Sequence, residues 1–198
     1  MLLSCYQNEL TEAGCDEAGR GCLAGPVVAA AVIFPKDYKH KLLNDSKQLS
    51  KAMRNQLREE IKRDAIAYAV ASSDVQTIDS INILNASFRA MHKALEQLKT
   101  KPQFIIVDGN RFPAFKKIPH KTIVKGDTKY LSIAAASILA KTERDDFMDA
   151  LHNEFPIYNW AKNKGYGTAE HRKAVIEIGQ CMHHRKSFVL KEMLPKLF

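Results

Sequence analysis

Phe104-Ile105-Ile106-Val107-Asp108-Gly109-Asn110 is a short unbroken apolar run that stops on a carboxylate and a glycine. Continuous rather than alternating hydrophobicity marks a strand covered on both faces, so a central strand ending at Asp108 is expected here. Upstream, Leu84, Phe88, Met91, Leu95 and Leu98 recur at helical spacing and predict a helix with one apolar face. Downstream, Lys121 to Val124 reads as a second strand ending at Lys125-Gly126-Asp127, followed by a long helix from Thr128 to Met148. In that helix the small residues Ala134, Ala135, Ala136, Ser137 and Ala140 permit close packing.

Toward the N-terminus, residues 27–34 lie between Pro26 and Pro35 as a buried strand, and Ala65 to Ala71 forms another. Between them Ser50 can cap a helix reaching about Arg63, with Met53, Leu57 and Ile61 on one side. The tail from Glu170 to Phe198 offers two helical pieces split by Gly179. Strands joined by turns, then strands alternating with helices, predict an α/β fold: a mixed central sheet flanked by helices, with additional C-terminal helices. The expectation is one domain over residues 1–198, with 170–198 as a helical extension packed on it.

The chain carries a formal charge of +8, which favours a polyanionic partner such as nucleic acid or an anionic surface. Its longest apolar run, Val27 to Phe34, is far short of a membrane span, and Met1-Leu2-Leu3-Ser4 has no basic or apolar leader character. A cytoplasmic protein is therefore expected. Cys5, Cys15, Cys22 and Cys181 show no C-x-x-C spacing and read as reduced and mostly buried. Cys181 with His183 and His184 lacks a second ligand pair for zinc.

Acidic residues fall where strands are predicted to end. Asp16 and Glu17 close the stretch Ala13-Gly14-Cys15-Asp16-Glu17 and run directly into Ala18-Gly19-Arg20-Gly21; Asp108 and Asp127 follow later strands. Ends of central strands are where open α/β sheets gather ligands. Strand alternation would send Asp16 and Glu17 to opposite faces, so a bend near Gly19 and Gly21 is expected if both serve one site. Four carboxylates on one crest would repel and raise one another's pKa unless a cation compensates, and oxygen donors without His or Cys favour Mg²⁺ or Mn²⁺. Taken singly, each has a plainer reading: Asp127 as a helix N-cap, Asp108 as the start of an Asp-Gly turn, Glu17 as a solvated turn residue.

Together the motifs resemble type 2 ribonuclease H (ribonuclease HII). The resemblance rests on Gly14 to Gly21, Ala24-Gly25-Pro26-Val27-Val28-Ala29-Ala30, Asp45-Ser46-Lys47-Gln48-Leu49-Ser50, Val107-Asp108-Gly109-Asn110 and Lys125-Gly126-Asp127. Ala134 to Lys141, Lys164-Gly165-Tyr166-Gly167-Thr168 and His184-Arg185-Lys186-Ser187-Phe188 continue it in the same order. It implies a ribonuclease H-like fold with Asp16, Glu17, Asp108 and Asp127 as catalytic metal ligands, Asp16 being the shared one. It also implies Mg²⁺ or Mn²⁺ as cofactor. The implied activity is endonucleolytic cleavage of the RNA strand of RNA–DNA hybrids, and 5′ of single ribonucleotides embedded in duplex DNA, leaving 3′-hydroxyl and 5′-phosphate ends. Roles in ribonucleotide excision repair and RNA primer removal follow from that activity.

For the substrate, the backbone of Gly19, Arg20 and Gly21 can approach a 2′-hydroxyl with no side chain between, and Tyr166 is the residue that the family uses at the ribonucleotide junction. As a residue on its own, Tyr166 reads equally as a half-buried loop aromatic. Ser137 and Lys141 share one helix face with Arg144, and with Lys47, Arg185 and Ser187 they are expected to reach the duplex backbone. Arg144 can equally pair with Asp145 or Asp146 on the surface and is left out of the substrate set. A monomer is expected. The terminal Met193-Leu194-Pro195-Lys196-Leu197-Phe198 suggests a weak sliding-clamp contact, with packing of a final helix as the alternative. A non-catalytic hybrid-binding protein remains the competing class, whereas a nucleotide hydrolase is disfavoured by the lack of a G-x-x-x-x-G-K-[ST] loop.

Overall fold

The computed structural model describes residues 2–43, 46, 49–190 and 192. Five strands, β1 (Glu12–Ala18), β2 (Val27–Ile33), β3 (Ala67–Ser73), β4 (Phe104–Asp108) and β5 (His120–Ile123), form one sheet in the order β3-β2-β1-β4-β5. β1 runs antiparallel to β2, and β2 to β3; β1 runs parallel to β4, and β4 to β5. The apolar run of β4 is paired on both sides, and Ile105, Ile106 and Val107 are fully buried, as unbroken hydrophobicity requires.

Strand alternation sorts the core into two layers. Ala13, Cys15, Ala29, Ala31, Ile105 and Val107 pack beneath α2 (Val75–Gln97), whose Met91 and Leu95 each contribute roughly 1.5–3 kcal/mol by burial. Val28, Ala30 and Val32 point the other way, against α1 (Lys51–Asp64) and α3 (Leu131–Glu154). α3 lies very close to β1. A Cβ on Gly14 would sit 2.5 Å from the Ser132 carbonyl carbon and 2.6 Å from the Ile133 nitrogen, so this approach needs glycine. A separate cluster of Ala24, Met148, Leu151, Tyr158, Trp160, Val175 and Leu190 joins α4 (Trp160–Asn163) and α5 (Ala169–Ile178) to the end of α3.

Several boundaries differ from expectation for local reasons. Ser50 caps α1 by accepting from the Met53 N–H, as predicted, but Ala65 closes that helix through a bond to the Ile61 carbonyl, so β3 starts at Ala67. α2 extends back to Val75 across a kink at Asn82, whose φ of 65° interrupts the helical pattern. Lys125 is left-handed and Gly126–Thr128 forms a 3₁₀ turn, which delays α3 to Leu131 and gives Tyr130 the N-cap position. Asp127 is therefore not the helix cap. Beyond Gly179 the expected second helical piece is not formed over residues 180–190. There the chain turns inward, with the Arg185 N–H bonded to the Leu23 carbonyl and the Gly25 N–H to the His183 carbonyl. Among the described residues no helix is long and apolar enough to cross a membrane.

Candidate active site

Parallel pairing brings the C-terminal ends of β1, β4 and β5 to one edge of the sheet. β1 pairs with β4 only as far as Cys15 opposite Val107, while its pairing with β2 continues to Ala18 opposite Val28. The two parallel strands thus part at Asp16 and Asp108, and a cleft of about 220 Å³ opens there. Asp16, Glu17, Ala18, Gly19, Arg20 and Gly21 line one side of it; Asp108, Ser46, Ser137, Lys141 and Tyr166 complete the wall. β1 remains a strand through both acidic residues, and the bend follows them where the glycines were expected to permit it. The turn comes at Gly19, with φ of 94°.

Asp16 is 5% exposed. Burial, and behind it the charges of Glu17 and Asp108, hold its carboxyl well above the usual carboxylate range. Hydrogen bonds from the Ser137 hydroxyl and the Glu17 N–H act against that rise. Ser137 is itself 3.0 Å from the Ser46 hydroxyl, so a short hydroxyl chain supports the carboxylate from behind. Asp108 accepts from the Gly126 N–H at 2.7 Å, tying β4 to the turn that carries buried Asp127. Glu17 pairs with Arg20 at 3.0 Å.

The family model for ribonuclease HII matches residues 13–191. The chain belongs to the ribonuclease HII family. A ribonuclease HII of Bacteroides fragilis is 62% identical over 190 residues, covering 96% of this chain and 94% of that one. The PCNA:RNase HII complex from Archaeoglobus fulgidus contains a chain that aligns with a TM-score of 0.77 at 26% identity, over 92% of this chain and 96% of that one. Ribonuclease H2 from Pyrococcus horikoshii OT3 aligns with a TM-score of 0.73 at 26% identity, over 90% and 93%. Membership of the ribonuclease HII family makes the chain a metal-dependent type 2 ribonuclease H with the ribonuclease H-like fold expected from its motifs.

Whether the cleft suits a divalent ion can be judged from its donors. All are hard oxygens, and the Asp16 carboxyl is disfavoured as an anion until positive charge arrives. Among the described residues no three His, Cys, Asp or Glu side chains are arranged to enclose an ion unaided. Mg²⁺ is commonly bound by one or two carboxylates and completes its shell with water and substrate phosphate. The site fits the group.

Other expected residues take different places. Gly19, Arg20, Gly21, Lys141 and Tyr166 all line the cleft. Lys141 is held by Asp145 at 2.8 Å, with its ammonium 5.7 Å from the Tyr166 ring centre. Ser137 also lines the cleft, but it is buried and directed to Asp16 rather than open to a phosphate. Arg185 is a correction: it is fully buried, and its guanidinium donates to the carbonyls of Gly19, Arg20, Gly25 and Pro26, leaving no face for a phosphate. Ser187 bonds Asp79 at 2.6 Å and does not line the cleft. Lys47 and the segment 193–198 lie outside the described residues.

Arg144, left out of the expected substrate set, takes a place that neither of its alternatives described. It is fully buried and donates to the carbonyls of Pro26, Lys164 and Ala24. Gly19 passes so close that a Cβ there would lie 2.0 Å from the Arg144 Nε. Arg185 has a further consequence. In a trans peptide the C=O and the following N–H point in opposite directions. Drawing the Gly19 and Arg20 carbonyls inward therefore turns the Arg20 and Gly21 N–H groups away from Arg185. Opposite this loop, Tyr166 forms an antiparallel backbone bridge with the buried Cys22.

Proposed function

We propose that this chain cuts the RNA strand of RNA–DNA hybrids and nicks duplex DNA 5′ of single embedded ribonucleotides, leaving 3′-hydroxyl and 5′-phosphate ends, by a two-metal-ion reaction. The observation that carries the proposal is the convergence of Asp16, Glu17 and Asp108 on one cleft that Gly19, Arg20, Gly21 and Tyr166 also line. Asp16, Glu17 and Asp108 would hold Mg²⁺ or Mn²⁺, with Asp127 contributing from the neighbouring turn. When bound, two such ions supply Lewis acidity at the scissile phosphate, a nucleophile at neutral pH and stabilisation of the departing oxygen.

The chain's own residues do the rest. Ser137 holds Asp16 in place, and Asp108 is fixed by the Gly126 N–H. The outward-turned N–H groups of Arg20 and Gly21 are donors for a ribose 2′-hydroxyl, a contact DNA cannot offer. The Tyr166 ring, 41% exposed, provides a flat surface for the adjoining sugar. Lys141 and Lys47 serve phosphates, which positions the duplex without reading its sequence. A sliding-clamp contact through the C-terminus belongs to the same reading, supported by the Archaeoglobus relative having been solved as a complex with PCNA.

The test uses labelled duplexes carrying no ribonucleotide, one ribonucleotide or a full RNA strand, incubated with Mg²⁺, Mn²⁺ or EDTA, with the product ends mapped. The expected result is a metal-dependent cut 5′ of the single ribonucleotide and multiple cuts in the hybrid. Cutting of the hybrid alone would remove the embedded-ribonucleotide part of the proposal. Cutting of all-DNA duplex at a similar rate would remove the 2′-hydroxyl reading.

A further inference from the structure

Behind Tyr166 lies a buried polar cluster that the reaction does not use. His171, at the start of α5, and His184, in the turn after it, are 0% and 1% exposed and face each other through their Nε2 atoms at 3.1 Å. Trp160 Nε1 lies 3.1 Å from the same His171 Nε2, and His171 Nδ1 lies 3.0 Å from the Tyr166 carbonyl oxygen. His184 Nδ1 faces the Cys181 N–H at 3.1 Å and the Cys181 sulphur at 3.3 Å.

Only one neutral proton arrangement satisfies every contact. An indole N–H can only donate, so His171 Nε2 must accept and its proton must sit on Nδ1. That Nδ1–H then donates to the Tyr166 carbonyl. His184 faces an acceptor, so its proton sits on Nε2, which leaves Nδ1 to accept from the Cys181 N–H, as observed. His171 Nε2 thus receives two donors, and a proton there would oppose both. Burial lowers the pKa of both rings, consistent with a neutral pair.

We propose that His171 is a positioning residue for Tyr166, locked in its Nδ1–H form by Trp160 and His184 so that the tyrosine backbone is held at a set height beside the cleft. The Gly165-Tyr166-Gly167 segment is glycine-flanked, with Gly165 at φ of 82°. The Tyr166 N–H bonds the Asn163 carbonyl at 2.9 Å and the Tyr166 carbonyl also accepts from the Thr168 N–H at 2.8 Å, so His171 is the side-chain donor that supplements these backbone bonds. The Cys22–Tyr166 bridge restrains its other side. The proposal rests on Tyr166 being a substrate contact, as read above.

Two measurements test it, neither of which depends on cleavage. The first is the tautomer of His171 in the wild-type protein, read from its ring ¹⁵N shifts: a proton on Nδ1 is expected, and a proton on Nε2 overturns the proposal. The second is a double-mutant cycle on affinity for a duplex carrying one ribonucleotide, measured by anisotropy in EDTA. His171→Gln keeps an acceptor toward Trp160 but loses the donor to Tyr166, and should weaken binding about fivefold. His171→Asn, which can return an amide N–H near the Nδ1 position, should recover most of that loss. In a Tyr166→Ala background His171→Gln should cost nothing further, because coupled residues are non-additive. No loss from His171→Gln, or the same loss with and without the tyrosine ring, overturns the proposal. Failure of the proposed function would instead appear as absent or misplaced cleavage with this coupling intact.

Discussion

At the sheet edge, Asp16, Glu17 and Asp108 crowd like charges around one cleft, whereas on the inner side of the adjoining loop Arg144 and Arg185 bury positive charge against neutral carbonyls. The arginines lack nothing. Each guanidinium is hydrogen-bonded to backbone oxygens from at least three residues, and even the Arg185 pKa, lowered by burial to about 10, leaves it charged at neutral pH. The carboxylates are the reverse case: burial first, and then the charges of Glu17 and Asp108, raise the Asp16 pKa, and the protein alone does not cancel the rise. The difference separates a region that fixes the loops from one that waits for a cation.

The largest break in this comparison should come from Asp16→Asn. Removing the buried charge should abolish ion binding and reduce cleavage by about three orders of magnitude or more in a rate assay, since metal catalysis supplies several kcal/mol. Duplex affinity should be largely kept. Near-normal turnover by the variant would mean that the ion is held elsewhere.

Next is Arg185→Lys, which keeps the charge but loses the fork that reaches the Gly19, Arg20, Gly25 and Pro26 carbonyls. A loss of about 3 kcal/mol is expected in urea unfolding, with carbonyls left unpaired in the interior. A loss below about 1 kcal/mol would show that the loop holds without this clamp.

A comparable or somewhat smaller effect follows from pH. Burial first, then His171 and His183, lower the His184 pKa to about 4, with a contact from Cys181 acting the other way. The unfolded chain protonates below about pH 6.5 while the folded ring stays neutral, so stability is complete above that value and lost as pH falls toward 4. The loss should be on the order of 2–3 kcal/mol by chemical denaturation. His184→Gln should flatten the pH dependence over that window, and an unchanged slope would place the titration on another group.

The smallest effect sharpens the comparison from the surface. Arg20 is exposed, and its ion pair with Glu17 should contribute less than about 1 kcal/mol, so Arg20→Ala should leave the unfolding midpoint nearly unchanged. A large destabilisation would make the side chain, and not only the backbone, part of the loop's support.

Much of the frame was legible because local pattern and burial agree. The unbroken run at Phe104–Val107 could only be a strand covered on both sides, and its terminal Asp108 landed at the cleft. The helical stripe around Met91 and the Ser50 cap likewise needed no tertiary knowledge. Arg144 was illegible because its neighbours Asp145 and Asp146 suggest a surface pair, while its actual partners lie more than 100 residues away. Arg185 was legible as part of a motif but not as a clamp, for its acceptors are backbone carbonyls that leave no trace in composition. His184 was legible only as part of the same motif and His171 not at all, since their pairing is set by how α5 and the following turn pack on Trp160.

The measurement that tests the contrast most directly is thermal unfolding of the wild type and Asp16→Asn, each in EDTA and in Mg²⁺ or Mn²⁺. The account predicts that in EDTA the variant melts above the wild type, because the asparagine keeps an oxygen for Ser137 and Glu17 while removing the repelled charge. It also predicts that divalent ion raises the melting temperature of the wild type alone. A variant that melts lower in EDTA, or an equal rise of both proteins with metal, would contradict the claim that these carboxylates are held apart from balance until a divalent cation arrives.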